Sequence, residues 1–584
     1  MDRSKLKKIF LIIIIFLIFI LIKNELYPQQ IEAHSTTSKF LENVKLWRQD
    51  GHISHFHFEN QPKCAMGLIF DIIKHSQFLN KIEKNYLSEL LEPPLRQKFR
   101  SSGNFTVHYD TIGYHTPSLL TSQFKRMLGD TNVVKTHQDS MLVIESYVDS
   151  VLYYFNLVWN QVVNVYQYLP PPFEPGYTKY NLYITELGSG LYGQTIPSIN
   201  PINPGQPPYR YYTYIEIDND FISVYPTSRG IAGLKVTAAH EFHHAVQLGS
   251  YGYREFDRYF YEITSTWVED LIFDEVNDYY QYIKTPQNTP RGHFATPEIS
   301  LISTDGLIEY SRAILGKFLQ EKFSPSVMKN TWDLFKSQIP FKVASIYALN
   351  QALIRENSSL RLAFVEFAEW NYFTGERAKE LGTYKEAKFY PLIKSKTQLE
   401  VPNSGRTIID SLQNLSTIYQ PIKYNNATST IIINNLNYEA TLLGNQKYFK
   451  FTLNLTSTGN ANYKQVLPNL YAKLITNDIE NWNFGSLDQT ITANVFAYPN
   501  PFLIGEGGTV KFIIPENNTD VDLLIYNSDM NLIYKNQYIL TPYTKYIEWN
   551  AKNNNGEFVS SGIYIFVIST KTKDFIGKLA IIQK

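Results

Sequence analysis

Two histidines and a glutamate near the middle of the chain have the spacing that a hydrolytic metal site requires. His240 and His244 are four residues apart, and Glu241 directly follows the first histidine. On an α-helix, residues four apart lie about 40° from each other around the axis and about 6 Å apart along it, so both imidazoles can bind one ion. Imidazole nitrogens suit Zn²⁺, which keeps one position open for water in catalytic sites. Glu241 is then the expected general base for that water.

A third protein ligand must come from elsewhere in the chain. The pattern H-E-x-x-H-x-x-G-x-x-H would need glycine at 247 and histidine at 250, but the chain has Gln247 and Ser250 there. Residues 256–273 contain no glycine or proline and are amphipathic, which predicts a second helix. Glu262 and Glu269 share one face of it, seven residues apart. We expect Glu262 to be the third ligand and Glu269 to accept a hydrogen bond from a ligand imidazole, or to replace Glu262 as ligand.

The elements that must position these residues follow from the surrounding pattern. Residues 231–248 contain no proline and predict the helix that carries the histidines, with Gly249 as a left-handed stop. The β-branched and aromatic run 212–217 predicts a strand before that helix. Strands are also predicted at 104–109 and 180–184. Helices are predicted at 66–79, at 81–99 with a break at Pro93-Pro94, at 141–168 and between 310 and 373.

The residues around the two predicted metal helices carry a family resemblance. A-H-E-F-H-H-A-V-Q at 239–247 and E-x-T-x-x-W-x-E-D at 262–270 resemble secreted bacterial metalloproteases of the glutamate-zincin type. That family has A-H-E-F-F-H-A-x-Q and then E-G-T-A-x-W-x-E-D, so His243 replaces the usual phenylalanine, and Ile263 and Ser265 replace small residues. We interpret His243 as an ordinary buried or surface group. The resemblance covers about residues 60–395; it implies a class of reaction and no particular substrate.

Two further groups of residues are candidates for a role in or near this site. A zincin needs a hydrogen-bond donor to the developing oxyanion. Tyr310 is our catalytic candidate for that donor and His293 is the alternative, while a purely structural tyrosine is the competing interpretation. Asp218, Asn219 and Asp220 could bind Ca²⁺, although we favour an Asx-rich turn for them.

The chain has a single cysteine, Cys64, which rules out an intramolecular disulfide framework. We interpret it as a buried structural thiol. The alternative is that the segment before residue 100 is a removable inhibitory segment, in which the Cys64 thiolate caps the open zinc position.

Composition and the N-terminus favour an exported protein. The 54 basic and 54 acidic residues balance and form no basic stripe, so no nucleic acid partner is expected. Basic residues precede an apolar run at 9–22, which is shorter than the roughly 20 residues of a spanning helix. This pattern predicts a cleaved signal peptide, with an uncleaved inner-membrane anchor as the alternative.

The last 90 or so residues carry a second resemblance. Y-P-N-P-F at 498–502, N-N-N-G at 553–556, S-G-I-Y at 561–564 and the final G-K-L-A-I-I-Q-K at 577–584 resemble C-terminal sorting domains of the type IX secretion route of Bacteroidetes-like bacteria. This implies passage of the outer membrane, then release or surface attachment. An immunoglobulin-like module without a transport role is the alternative.

These patterns together predict an α+β protein: a zincin-like catalytic domain, made of a small sheet, an active-site helix and a helical lobe, followed by β-sandwich domains. The predicted boundaries are 1–30 for the signal peptide, 31–100 for a helical segment, 101–400 for the metallopeptidase domain, 401–490 for an accessory β-sandwich and 491–584 for the sorting domain.

The expected activity is that of a secreted or cell-surface zinc-dependent endopeptidase, with Ca²⁺ as a further candidate ion. Its expected partners are a protein or peptide substrate and the outer-membrane secretion machinery, with membrane contact only through the signal peptide. A surface adhesin or glycan-binding protein on an inactive zincin scaffold is the competing class. A third interpretation keeps the metal site but acts on another substrate, such as a glycan-linked amide.

Overall fold

The computed structural model describes most of the chain after the N-terminus. The described residues are 39–48, 63–119, 137–476 and 497–583, without 189, 223, 225–227, 284–291, 338, 340, 381, 425–426, 438–440, 443, 445–447, 456–460, 465–469, 505–507, 514–519, 528–530, 540–545 and 571–573. The predicted signal peptide lies outside these residues. The described residues form both helices and strands, in agreement with the predicted α+β class.

The chain divides into two compact units. The first consists of Met1–Ser395, Leu412–Ile418 and Asn434–Phe449, and the second of Lys396–Ser411, Tyr419–Ile433 and Lys450–Lys584.

A five-stranded sheet forms the centre of the first unit. Its strands, in the order β1-β2-β3-β5-β4, are β1 Lys98–Ser102, β2 Phe105–Tyr109, β3 Tyr180–Thr185, β4 Gly193–Pro197 and β5 Thr213–Asp218. β2, β3 and β5 run parallel, whereas β1 and β4 join them antiparallel. β3, β4 and β5 are almost wholly buried, as expected for strands that are covered on both faces. β4 forms one edge of this sheet.

Helices cover the sheet and continue as a helical region. They are α1 at 39–48, α2 Met66–Ser76, α3 Lys81–Leu90, α4 His137–Trp159, α5 Ile231–Val246, α6 Arg258–Ile272, α7 Tyr280–Ile283, α8 Ile308–Ser311, α9 Ala313–Lys322, α10 Ser326–Phe335, α11 Ala344–Arg355 and α12 Leu360–Tyr372. α5 packs on β4 and β5 and also on α6. Among the helices that are described, none is long and apolar enough to cross a membrane.

The predicted helical stretch at 81–99 ends just before its predicted break at Pro93-Pro94, but the helix predicted after the break is wrong. α3 ends at Leu90, and residues 98–102 form β1 instead. Two prolines, Pro93 and Pro94, lie between the two elements. Proline has no N–H to continue a helical hydrogen-bond ladder, so the chain leaves the helix before this pair.

The histidine helix also ends later than predicted. A π-helical turn, Gln247–Tyr251, follows α5 directly, and the chain leaves it at Gly252 with a φ of 89°. Gly249 is therefore not the left-handed stop. It is needed for close packing instead, because a Cβ added there would lie 2.6 Å from Pro172 Cδ.

The rest of the structure consists mainly of antiparallel strands. Their bounds are β6 Leu399–Glu400, β7 Arg406–Gln413, β8 Ser416–Tyr424, β9 Ala427–Asn435, β10 Tyr448–Leu455, β11 Ala461–Lys464, β12 Leu470–Thr476, β13 Ala497–Tyr498, β14 Phe502–Ile504, β15 Val510–Ile513, β16 Asp520–Tyr526, β17 Leu532–Ile539, β18 Tyr546–Trp549, β19 Gly562–Thr570 and β20 Asp574–Gln583.

These strands form four sheets. The orders are β11-β10-β7, β12-β9-β8-β6, β13-β15-β18 and β14-β20-β19-β16-β17. The last two sheets share one apolar cluster, in which the rings of Phe512 on β15 and Phe566 on β19 are 4.9 Å apart.

Candidate metal centre

The predicted metal-binding residues lie in the interior of the first unit. His240, Glu241 and His244 are on α5, whose residues are buried from Val236 to Val246. Glu262 is on the neighbouring helix α6 and is 5% exposed. Polar groups this deep cost free energy unless they are hydrogen-bonded or bind an ion. The partners of each polar atom therefore indicate what the site is built to hold.

The Nδ1 atoms of both imidazoles, which face away from the other predicted ligands, each have a hydrogen-bond acceptor. Glu269 Oε1 lies 2.6 Å from His240 Nδ1, and Gln247 Oε1 lies 2.7 Å from His244 Nδ1. The Gln247 amide orientation is fixed, since its Nε2 donates to the carbonyl oxygen of Tyr261. Both Nδ1 atoms are therefore donors. In neutral imidazoles this leaves the lone pair on each Nε2.

These two Nε2 atoms face each other across 3.0 Å. Two lone pairs at this distance repel each other unless a proton or a metal ion lies between the two nitrogens. Metal-binding histidines commonly have this arrangement, in which a second group holds Nδ1–H and so directs Nε2 to the ion. Here Glu269 accepts the Nδ1–H of His240, and Gln247 accepts the Nδ1–H of His244.

Glu262 completes the inner face of the cluster. Its Oε2 lies 3.3 Å from His240 Nε2 and 3.6 Å from His244 Nε2, yet neither carboxylate oxygen makes a hydrogen bond of ordinary geometry. Burial raises the pKa of Glu262, but His244 and His240 outweigh it and lower that pKa to about 2. The site thus contains a buried, charged carboxylate that has no regular donor.

The two carboxylates next to His240 favour a positive charge on its ring. Burial lowers the pKa of His240, but the adjacent carboxylates of Glu262 and Glu269 outweigh burial and raise the pKa to about 9. A proton on His240 can thus partly neutralise the two carboxylates. A metal ion would compete with this proton, because a histidine ligand must be deprotonated at the coordinating nitrogen.

Cys64 is the fourth residue of the cluster. One donor atom from each of Cys64, His240, His244 and Glu262 lies within 4.8 Å of the others, and all four residues are buried. The Cys64 thiol also lies close enough to the side chain of Glu241 to interact with its carboxylate. Burial and the nearby carboxylates of Glu241 and Glu262 raise the pKa of this thiol. The thiol is buried, as the structural interpretation expected, but it lies among the predicted metal ligands.

The donor set fits a transition metal ion. One sulfur, two imidazole nitrogens and one carboxylate oxygen are the atom types that Zn²⁺ binds, usually four at a time in a tetrahedron. The carboxylate without a regular donor and the opposed lone pairs would both be satisfied by such an ion.

Glu241 is held by the edge strand β4. Thr195 Oγ1 lies 2.7 Å from Glu241 Oε2 and 2.9 Å from the Glu241 carbonyl oxygen. Gly193 permits this close approach, because a Cβ added there would lie 2.8 Å from Glu241 Cγ. Sequence reasoning missed Thr195, since only the packing of β4 on α5 relates the two residues. Gln247 had a local signal, its position three residues after His244 on one helix.

Tyr310, the candidate oxyanion donor, stacks on a predicted metal ligand. Its ring centroid is 6.1 Å from that of His240 at an interplanar angle of 20°, and 4.9 Å from that of Tyr282. Burial raises the pKa of Tyr310, so its hydroxyl stays protonated at neutral pH. A cavity of about 250 Å³ adjoins the site and is lined by Glu262, Tyr310, Glu309, Arg258, Gly67 and Phe70.

Other candidate residues have different partners. His293 lies against Asn371, 3.0 Å from its amide nitrogen, and stacks near Phe367. His243 is fully buried, with Nδ1 3.1 Å from Ser265 Oγ.

The carboxylates of the candidate calcium cluster accept bonds from the backbone. Asp218 Oδ2 accepts from Phe221 N at 2.7 Å, and Asp220 Oδ1 accepts from Ile222 N at 2.8 Å. These contacts are those of an Asx-type turn.

A second group of potential ligands lies further along the chain. Asp270, Asp274 and Glu386 also have carboxylate oxygens within 4.8 Å of one another. Lys317 Nζ lies among them, 2.6 Å from Asp270, 2.9 Å from Asp274 and 3.3 Å from Glu386. This cluster, which we call the lysine-centred cluster, already contains its cation.

Comparisons with known proteins identify no family. No family model matches the chain, and no curated protein matches it. A solved structure of PorZ, an essential bacterial surface component of the type-IX secretion system of Porphyromonas gingivalis, is 16% identical over 26% of this chain and 29% of that chain, with a TM-score of 0.14. Dimeric latent PorU from Porphyromonas gingivalis is 12% identical over 31% of this chain and 20% of that chain, with a TM-score of 0.15. The chain spans less than a third of either protein, and these scores are too low to support an inference about fold or function.

Proposed function

We propose that this protein is a zinc-dependent peptidase in which His240, His244 and Glu262 bind the metal. The observation that carries the proposal is the convergence of His240 Nε2, His244 Nε2 and a buried Glu262 carboxylate that lacks a regular hydrogen-bond donor. A core built only for stability would pair these atoms with donors. The first unit, with its small sheet, buried histidine helix and helical region, supports a zincin-like fold for the catalytic part.

The chain's own residues supply the remaining chemistry. Zinc held by His240, His244 and Glu262 would supply a Lewis acid for a carbonyl oxygen and would lower the pKa of water at the site to about 7. Glu241 is the general base that takes a proton from water and delivers it to the leaving amine. Thr195 orients the Glu241 carboxylate, while Glu269 and Gln247 keep the two imidazoles in the metal-binding tautomer. Tyr310 donates to the developing oxyanion.

Metal analysis of the full chain tests this proposal most directly. We expect about one zinc per chain, and Glu262→Ala or His244→Ala should lose most of it because each substitution removes one of the three proposed ligands. Glu241→Gln is the matched control, since it changes a buried neighbour that is not a ligand and should retain the zinc. A wild-type chain that binds no zinc would remove the proposal and leave an adhesin on an inactive scaffold as the better interpretation.

We further propose, from the sequence motifs, that the protein is exported from the cell. The apolar run at 9–22 supports a signal peptide, and the motifs between 498 and 584 support a type IX sorting domain. The two last sheets share one apolar core, which supports a β-sandwich for that domain. Deletion of residues 494–584 should then trap the protein in the periplasm. Normal export of the shortened chain would leave this domain without a transport role.

A further inference from the structure

The position of Cys64 is the starting point for a further inference. Its sulfur lies within 4.8 Å of a donor atom of each of the three proposed zinc ligands, and it is also close to Glu241, the proposed base. A water activated by Glu241 has to lie between that carboxylate and the metal. Cys64 is therefore in the place where the reactive water of a working enzyme would lie.

The backbone around Cys64 is bound to the sheet edge beside the site. Cys64 forms a parallel β-bridge with Gly193, the first residue of β4, and Tyr192 N donates to the carbonyl oxygen of Lys63 at 2.9 Å. β4 is the outer strand of its sheet, and such an edge can bind an extended peptide through main-chain hydrogen bonds. Residues 63 and 64 thus cover the sheet edge that lies next to Glu241.

Lys63 anchors this segment in the interior. Its ammonium group lies 2.6 Å from both carboxylate oxygens of Glu269 and 2.8 Å from Asp278 Oδ2, and the side chain is only 4% exposed. The rings of Tyr192 and Tyr282 lie 5.7 and 5.6 Å from the ammonium nitrogen, within the range of cation–π attraction. Glu269 is also the acceptor for His240 Nδ1, so one carboxylate joins the anchor to a proposed metal ligand.

The helix that follows continues the cover. Residues of α2 line one side of the cavity that reaches Glu262 and Tyr310, and Arg258 on α6 forms an ion pair of 2.7 Å with Asp71. The ring of Phe70 packs 5.0 Å from that of Tyr261 on α6. α2 is thus docked on α6, the helix that carries Glu262, and on β4.

We propose that Cys64 supplies the fourth zinc ligand and that the segment around it holds the full-length chain in an inactive state. This inference rests on the proposed function, because it requires the zinc site. A thiolate is a stronger zinc ligand than water, and here it would exclude water from Glu241. Activation then requires Lys63 and Cys64 to leave the β4 edge, which opens both the fourth position and the peptide-binding edge.

Cobalt substitution of the full chain tests the ligand directly. Co²⁺ bound to a thiolate absorbs strongly in the near ultraviolet, and the chain has only one cysteine, so such a band can come only from Cys64. We expect about one Co²⁺ per chain with this band in the wild type, and the same stoichiometry without the band in Cys64→Ser. Bound cobalt without a thiolate band overturns the inference and leaves the proposed function intact, whereas no bound cobalt overturns the proposed function itself.

Casein cleavage by the zinc-loaded full chain tests the inactive state. Cys64→Ser should raise kcat/KM by about tenfold or more, since water can then reach Glu241. Ser76→Ala, a buried position at the end of α2 outside the site, is the matched control and should change neither the cobalt band nor the cleavage rate. Equal rates for wild type and Cys64→Ser, with zinc bound in both, would show that Cys64 does not keep the chain inactive.

Discussion

Two clusters of potential metal ligands in the first unit differ in what balances their charge. In the Cys64 cluster, the donors converge on one another and the carboxylate of Glu262 has no regular hydrogen-bond donor. In the lysine-centred cluster, the ammonium of Lys317 is within 3.3 Å of all three carboxylates. Spacing of ligand types alone therefore does not identify a metal site. Unsatisfied lone pairs that point at a common position are the more specific criterion.

The two clusters also differ in their supporting contacts. The imidazoles of the Cys64 cluster have an acceptor at each Nδ1, which fixes their orientation before any ion binds. The carboxylates of the lysine-centred cluster range from 4% exposed at Asp270 to 74% exposed at Asp274, so solvent competes there. The Cys64 cluster is therefore suited to binding a metal ion. The lysine-centred cluster instead connects α6, α9 and a later turn through ion pairs.

The largest expected difference between the clusters is catalytic. Glu241→Gln should lower kcat for casein by about a thousandfold, because the general base is lost while the ligands remain. Glu386→Gln in the lysine-centred cluster should leave kcat within about twofold, because this residue is remote from the proposed reaction. Both are measured in the wild-type and Cys64→Ser chains, with zinc content determined in parallel. Full activity of Glu241→Gln would exclude it as the base.

The next largest expected effect is a loss of unfolding free energy when the lysine-centred cluster is disrupted. Lys317→Met leaves the buried carboxylate of Asp270 without its cation and should cost about 3 kcal/mol of unfolding free energy near pH 8. Burial already raises the pKa of Asp270 to about 7 even though Lys317 opposes it.

The pH dependence of that loss has a definite sign. Removing Lys317 should raise the folded-state pKa of Asp270 further above its unfolded value, so the folded state favours the protonated acid. Stability contributed in this way is present at low pH and is lost as pH rises. Chemical unfolding of Lys317→Met at pH 5 and pH 8 should thus give the smaller loss at pH 5. Lys322→Met is the exposed control, and an equal loss in both variants would contradict the special role of Lys317.

A third prediction compares glycines behind the two clusters. Gly193→Ala would place a Cβ 2.7 Å from Thr237 Cγ2 and 2.8 Å from Glu241 Cγ, and overpacking of this kind costs about 1–3 kcal/mol. Gly316→Ala, next to Lys317, would overlap Trp267 and should cost a similar amount. Only Gly193→Ala should also lower casein cleavage in the Cys64→Ser chain. Thermal unfolding and kcat of the two variants separate packing from chemistry, and Gly562→Ala, where the nearest atom is 3.8 Å away, is the packing control.

Local periodicity explains which parts of this structure the sequence could predict. The i, i+4 histidines and the heptad spacing of Glu262 and Glu269 place these four side chains together once two helices pack face to face. The helix bounds were less predictable. The sequence indicated that Gly249 ends the histidine helix, whereas the structure shows that Gly249 allows close packing against Pro172. The β1 strand was missed because its only local signal is the proline pair before it.

Contacts between distant segments explain what the sequence could not predict. The sequence offered Cys64 as a cap on the zinc only as an alternative, because it lies 176 residues before His240 and no pattern of spacing relates the two. Its position depends on the bridge to Gly193 and on the Lys63 ion pairs, which exist only after the sheet and α6 have formed. The same applies to Thr195, whose partner Glu241 is on another element.

The smallest predicted effect concerns this Thr195 contact. Thr195→Val keeps the shape of the side chain but removes the hydroxyl that lies 2.7 Å from Glu241 Oε2. One hydrogen bond to a charged group contributes about 1.5 kcal/mol, so kcat in the Cys64→Ser chain should fall about tenfold while zinc content stays the same. The structural cost of losing a buried hydroxyl has to be measured separately.

Thr213→Val supplies that control. Thr213 is 2% exposed on β5, and its hydroxyl lies 2.7 Å from that of Tyr180, so the substitution removes a comparable buried hydrogen bond without contacting Glu241. Both variants should lose similar unfolding free energy, but only Thr195→Val should lower kcat with KM unchanged. Such a split means that the hydroxyl orients the base and does not merely support the sheet. Equal kinetic losses in both variants would instead make Thr195 a packing residue, and the contrast between the two clusters would then rest on their ligands alone.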